Sequence, residues 1–163
     1  MPVKSAIKCL MVFSFGIAAL QAAQAQMPNP YGPPVSLEMA KKIAAPAIAE
    51  AVKNNWTMAV AIVDPDGHLV YFEKMDNTQI ASSEVALDKA RGAAIYKRPT
   101  KAMQDALAKG GDGWRILALR GAEPVEGGIP IVMDGKIVGA IGVSGDSSAH
   151  DAQCAEAAIA TVK

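Results

Sequence analysis

Two histidines, His68 and His150, are the side chains in this chain best suited to bind a metal or haem iron. Neither lies in an H-E-x-x-H motif, and the sequence has no C-x-x-C, so no zinc site of known spacing is present. One histidine can still ligate haem iron, because an axial ligand needs no second motif. The ordinary alternative is a surface histidine with no ligand. The spacing alone therefore permits an axial ligand at either position and selects neither.

Cys154 follows His150 by four residues, so the two side chains could share one helix face. A Cys–His pair of this kind could act as a nucleophile and its base. Nothing in the sequence orients the imidazole, and an isolated cysteine commonly packs as a small apolar residue. We therefore favour a buried, unreactive Cys154.

Three cations, Arg91, Lys97 and Arg98, cluster around the predicted end of a helix over 85–96. Cations suit the negative end of a helix dipole, so their position alone demands no ligand. They could also bind a carboxylate, including a haem propionate.

A second polar group combines Glu126, Gly127 and Gly128 with Ser147 and Ser148. Glycines let a ligand approach the backbone, Glu126 could bind a cation or act as a base, and the serines begin a helix whose free N–H groups suit an anion. These residues could line a pocket for a small organic acid, although a plain β-turn at 126–128 explains the same glycines. There is no G-x-S-x-G, phosphate loop or dinucleotide fingerprint, so the sequence does not indicate an enzyme of a known class.

The first 25 residues are typical of a secretory signal peptide. Lys4 and Lys8 precede an apolar run over 9–20, and Ala23-Gln24-Ala25 fits a cleavage site. An uncleaved membrane anchor is the alternative, but the run is shorter than the roughly 18 apolar residues of a spanning helix. We expect a periplasmic or secreted protein without stable membrane insertion after cleavage. Removing two lysines and no acids leaves 14 − 16 = −2 charges, which does not favour nucleic-acid binding.

The predicted elements position these groups. Residues 26–35 form a Pro-rich arm, more often a loose tail than an arm reaching a neighbouring subunit. Residues 36–163 form a single domain. We expect helices over 37–54 (kinked or split by Pro46), 85–96 (capped by Ser82 or Ser83), 101–108 (capped by Thr100) and 152–162. We expect β-hairpins over 57–73 and 129–143. Hairpin strands are antiparallel, so this order predicts an α+β fold with helices packed on an antiparallel sheet.

The run from Ser36 to Ala160 resembles the HbpS/GlcG-like family of small haem-binding proteins. The resemblance rests on LEMAKKIAAPAIAEA, VAIVDPDGHLVYFEKMD, ALDKARGAAIYKRPTKAM and PVEGGIPIVMDGKIVGAIGVSGDSSAHDAQCAEAAI, in this order. It implies a profilin-like α/β/α sandwich with a central antiparallel sheet, and it implies assembly into homo-oligomers. His68 falls in the family's G-H-L-V segment, whereas His150 departs from the family pattern.

The resemblance implies an exported haem-binding protein for storage, scavenging or redox sensing, with haem iron near His68 or His150 and propionates near Arg91, Lys97 or Arg98. The second hypothesis is a binder of, or an enzyme acting on, a small organic acid at the E-G-G loop, which consists of Glu126, Gly127 and Gly128. A third is a structural partner of another exported protein. A family fixes fold better than function, so all three stay open at this point.

Overall fold

The computed structural model describes residues 27–162, so the predicted signal peptide lies outside the described residues. The elements in chain order are the helix α1 (Leu37–Lys53), strands β1 (Ala59–Val63) and β2 (Leu69–Lys74), helices α2 (Ser82–Ile95) and α3 (Thr100–Ala108), a 3-10 helix (Gly111–Ala118), strands β3 (Gly128–Met133) and β4 (Lys136–Ser144), and the helix α4 (Ser148–Ile159). Across residues 27–162 no helix combines the length and the apolar composition needed to cross a bilayer.

The four strands form one antiparallel sheet in the order β2-β1-β4-β3. Both hairpins predicted from the sequence are present, and β4 joins them by pairing with β1, Ala59 opposite Ser144 and Val63 opposite Ala140. Asp134 and Gly135 both have positive φ, as a type I′ turn requires. The predicted α+β class is confirmed.

Helices cover the sheet on both faces, which confirms the predicted sandwich. The helix α2 packs on one face, where small side chains of β1 meet Ala86, Ala90 and Ala94. The helices α1 and α4 pack together on the other face, over Val60, Ile62 and Ile141. Close approach explains a glycine in β4, since a Cβ at Gly142 would lie 2.0 Å from the Ala86 carbonyl oxygen.

Two predicted caps differ from the sequence-based expectation, and of the two outcomes expected at Pro46, a kink or a split, the split is absent from α1. Pro46 lies inside α1 without splitting it, because the apolar side chains of this long helix bury against α4 and the sheet on both sides of the proline. Ser82 and Thr100 are the first residues of α2 and α3 and cap neither helix. Their hydroxyls instead bond Ser144 and the E-G-G loop, since both side chains are buried where those partners lie.

The arm is bound to the domain over residues 30–35, in contrast to the expected loose tail. Ile137 donates to the Pro30 carbonyl and accepts from the Gly32 N–H, and Val35 N–H donates to the Val138 carbonyl. The arm thereby lies beside residues 137 and 138 of β4, which precede the residues of β4 that pair with β1. Val35 is buried, and the Tyr31 hydroxyl lies 3.0 Å from the Ala94 carbonyl oxygen.

Candidate functional site

The E-G-G loop lies over a buried ion pair that joins the two helical layers. Lys89 on α2 donates to Asp151 on α4 over 2.6 Å and to the Val143 carbonyl over 3.2 Å. Both side chains are almost fully buried. Burial raises the pKa of Asp151, and the bond from Lys89 opposes that rise. Gly127 passes so close that a Cβ there would lie 3.1 Å from Lys89 Nζ and 3.0 Å from Asp151 Cβ.

The helix α3 holds the loop from the other side. Gly128 N–H donates to Thr100 Oγ1 over 2.9 Å, and Glu126 N–H donates to Gln104 Oε1 over 2.9 Å. Gly127 has a φ of +122°, a conformation that favours glycine. Hydrogen bonds from the backbone of the loop to side chains of α3 therefore fix its position, so it is more than a plain turn.

The Glu126 side chain lies at one wall of a cleft of about 480 Å³ between α3, the E-G-G loop and α4. The rest of the lining is mostly apolar and includes Pro99, Ile129 and Ile159, with Lys101 and Glu156 as the other charged residues. Clefts of this size and lining are typical of small-molecule sites.

An anion site was predicted at the start of α4. There Ser148 Oγ lies 3.4 Å from Glu126 Oε1. Ser147 Oγ is already the N-cap and accepts from His150 N–H. Asp146 and Asp151 lie in the same turn, and their negative charges oppose an anion there. An organic-acid pocket remains a prediction, and these charges weigh against it.

His68 lies at the opposite end of β1 from His150, so the two histidines do not form one site. His68 follows β1 in the hairpin turn, whereas His150 stacks on Trp56, which precedes β1, with ring centroids 3.9 Å apart. The His68 side chain is 80% exposed, and its Nδ1 lies 3.4 Å from Asp64 Oδ2. Nδ1 of His150 lies 2.6 Å from Asp146 Oδ1.

Cations and apolar side chains surround the His68 turn. Arg91 Nε donates to the Gly67 carbonyl over 3.2 Å, and a Cβ at Gly67 would lie 3.4 Å from Ile95 Cγ2. Tyr31 bonds the end of α2 through its hydroxyl, and Lys97 Nζ lies 4.9 Å from the centroid of its ring. We call His68, Arg91, Ile95, Tyr31 and Lys97 the histidine surface. Arg98 donates to the Tyr96 carbonyl at the edge of this surface.

His150 lies in acidic surroundings. Asp146 contacts its ring, and Gln153 on the next turn of α4 bonds Glu50. These carboxylates oppose the binding of an anionic group beside His150. Cys154 is fully buried, and burial raises the pKa of its thiol to about 12. A thiolate nucleophile is not formed at neutral pH under these conditions.

Residue types alone do not single out Lys89, Asp151 or Thr100 as site residues. Lysine and aspartate are almost always exposed, so a pattern of residue types predicts a solvated face for both. Lys89 lies in the segment ALDKARGAAIYKRPTKAM, on which the family resemblance partly rests, and that resemblance was the sequence feature that could have pointed to it. The buried pair forms only when α2 and α4 meet at the end of β4.

Helices on both faces of a four-stranded antiparallel sheet, with a histidine surface at one end and a separate cleft, define a small protein of the α+β sandwich class. This chain belongs to the HbpS-like family: the family model described as "Haem degrading protein HbpS-like" matches residues 35–160.

Protein GlcG of Escherichia coli (strain K12) is similar to this chain, 39% identical over 110 residues that cover 68% of this chain and 81% of GlcG. The crystal structure of HbpS is 30% identical and has a TM-score of 0.74, covering 81% of this chain and 92% of HbpS. The crystal structure of a PduOC:heme complex is 26% identical with a TM-score of 0.72, covering 80% of this chain and 96% of that one.

Proposed function

We propose that this protein is an exported haem-binding protein that serves storage, scavenging or redox sensing. A relative with the same fold is known as a haem complex, and the family is described by its action on haem. The N-terminal sequence supports export. Cell fractionation and N-terminal sequencing test that part, with Gln26 as the expected first residue.

The observation that carries haem binding is the histidine surface. His68 has an exposed imidazole whose Nδ1 faces Asp64, which leaves Nε2 for an axial bond. Tyr31 and Ile95 are 45% and 39% exposed and offer apolar contact to a porphyrin face. Arg91 and Lys97 offer cations to its propionates. Bound haem would supply redox-active iron, and His68, Tyr31, Ile95, Arg91 and Lys97 would hold it and neutralise its carboxylates.

The charge balance favours His68 over His150 as the axial ligand. Both imidazoles have a carboxylate at Nδ1, so that feature does not separate them. Asp64 and Asp66 lie beside His68 as well, but the cations Arg91 and Lys97 of the histidine surface offset them. Near His150 lie the carboxylates Asp146 and Glu50, and Trp56 covers one face of its ring.

A haemin titration followed by absorption tests this proposal, with His68→Ala and His150→Ala as a matched pair. We expect a saturable Soret shift at stoichiometric haem, at least tenfold weaker binding in His68→Ala, and little change in His150→Ala. An unchanged His68→Ala spectrum removes His68 from the site. A shift that grows only with excess haemin contradicts specific binding altogether.

Self-assembly, which the family resemblance implies, remains a prediction. Light scattering with size-exclusion chromatography measures the number of subunits directly.

A further inference from the structure

The cleft between α3, the E-G-G loop and α4 shares no lining residue with the histidine surface. Its volume of about 480 Å³ would accommodate a small organic molecule. Residues 152, 156 and 159 of α4 form one wall together with Ala160, which follows the helix, and Pro99 and Ile129 contribute apolar surface from the other side. A ligand with a short hydrocarbon part would bury it here.

Glu126 is the polar group best placed to bind such a ligand. Its side chain is only 13% exposed, and its backbone N–H is fixed by Gln104. The contacts of its carboxylate within residues 27–162 are long: 3.4 Å from Oε1 to Ser148 Oγ and 3.9 Å from Oε2 to Lys101 Nζ. A carboxylate accepts up to about four hydrogen bonds, so Glu126 retains acceptor capacity in a largely buried position.

The charge around the cleft is negative. Lys101 is the cation of the lining, and Asp105 binds its ammonium group over 2.8 Å and raises its pKa. Lys89 is also nearby, but it is buried beneath Gly127 and bonded to Asp151. The lining therefore carries two carboxylates, Glu126 and Glu156, against one cation, and Lys101 is shared between Glu126 at 3.9 Å and Asp105.

From this combination we propose that the cleft is a second binding site, for a small primary amine with a short hydrocarbon chain. The protonated amino group donates to the Glu126 carboxylate, and the chain packs on Ile129 and Ile159. The carboxylate acts as the counter-ion of the ligand and takes no proton from it. The site is independent of haem and of the proposed function.

Isothermal titration of haem-free protein with n-butylammonium chloride tests the proposal, with sodium butyrate as a probe of equal chain length and opposite charge. We expect saturable butylammonium binding that is at least tenfold tighter than butyrate binding. Glu126→Gln keeps the shape and removes the charge, so it should weaken butylammonium binding at least tenfold. Glu84→Gln, outside the cleft, should leave binding unchanged.

Ala152→Met fills the cleft from α4 without changing charge, and it should also abolish butylammonium binding. This variant keeps the test decisive if Glu126→Gln does not fold. Equal or tighter binding of butyrate overturns the proposal in favour of an acid pocket. Failure of butylammonium to saturate the protein, or binding unaffected by Glu126→Gln and Ala152→Met, overturns it as well.

Discussion

At the residue scale, burial decides what Cys154 can do. Its thiol is fully buried and has a pKa of about 12, against an ordinary value of 9.0. The raised value means that the folded protein keeps the thiol proton at a pH where the unfolded chain loses it. Stability linked to this group is therefore fully present below pH 9 and is lost as the pH rises towards 12.

We predict that the stability advantage of the wild type over Cys154→Ala shrinks in alkali. Between pH 9 and 10 the linked loss should be about 1 kcal/mol, because each pH unit above the unfolded pKa contributes about 1.4 kcal/mol. Urea unfolding of both proteins at several pH values measures it. A difference that stays constant from pH 8 to pH 10 would show that the thiol ionises in the folded state.

Residue types alone indicated some of the groups that the structure brings together, and their role as a site stays a prediction. The short loop at 126–128 and the helix start at Ser147 and Ser148 are each encoded locally, and the fold brings Ser148 to 3.4 Å from Glu126. The buried partners of that loop, Lys89 and Asp151, come from elements 62 residues apart. Their meeting depends on α2 and α4 packing on opposite faces of the sheet so that both reach the end of β4, which no local pattern records.

At the element scale, glycines in β4 set how closely α2 approaches the sheet. We predict that Gly142→Ala lowers the free energy of unfolding by about 3 kcal/mol, the upper end of the range for overpacking. The added Cβ would meet backbone atoms, 2.0 Å from the Ala86 oxygen and 2.5 Å from the Ala90 nitrogen, and backbone in a packed helix cannot move aside as a side chain does.

Gly135→Ala is the matched control, because a Cβ there has no neighbour within 4 Å and the substitution costs only the left-handed backbone conformation. We expect a loss of about 1 kcal/mol for it, measured by the same denaturant titration. If Gly142→Ala lowers the free energy of unfolding no more than Gly135→Ala does, the packing argument fails.

Single turns and caps were predicted better than helix bounds, since α2 and α4 begin at Ser82 and Ser148, before the predicted starts at 85 and 152. The Asp-Gly turn at 134–135 and the Ser147 cap are encoded by adjacent residues, and both are confirmed. Pro46 and Thr100 show the limit of such local rules. Tertiary packing keeps α1 continuous through its proline, and Thr100 bonds the E-G-G loop where a cap was expected.

At the scale of the whole molecule, the Lys89–Asp151 pair connects the helical layers on the two faces of the sheet. Alternating helices and hairpins predict layers, but the strand order β2-β1-β4-β3 and the faces chosen by each helix are non-local. The pair lies at the end of β4, where α2, α4 and the E-G-G loop converge. Loss of this ion pair should therefore lower the free energy of unfolding of the whole domain.

We predict that Lys89→Met destabilises the protein by about 3–5 kcal/mol, because it leaves the Asp151 carboxylate buried without its cation. Lys89→Met combined with Asp151→Asn should recover most of this loss, since the neutral amide still accepts from Asp146 N–H. Lys101→Met is the control: it breaks an exposed pair with Asp105 and should cost less than about 1 kcal/mol.

The pH dependence of Lys89→Met distinguishes a lost charge partner from lost packing. Without Lys89, burial is opposed by the backbone hydrogen bonds from Asp146 and Gly145 and no longer by a cation, so the pKa of Asp151 rises further and the folded variant holds a proton that the unfolded chain releases. The stability of the variant should accordingly fall as the pH rises from 5 to 7, more steeply than that of the wild type. Urea unfolding at both pH values decides the matter: equal slopes in the two proteins would mean that packing of the lysine stem, and not its charge, holds the layers together.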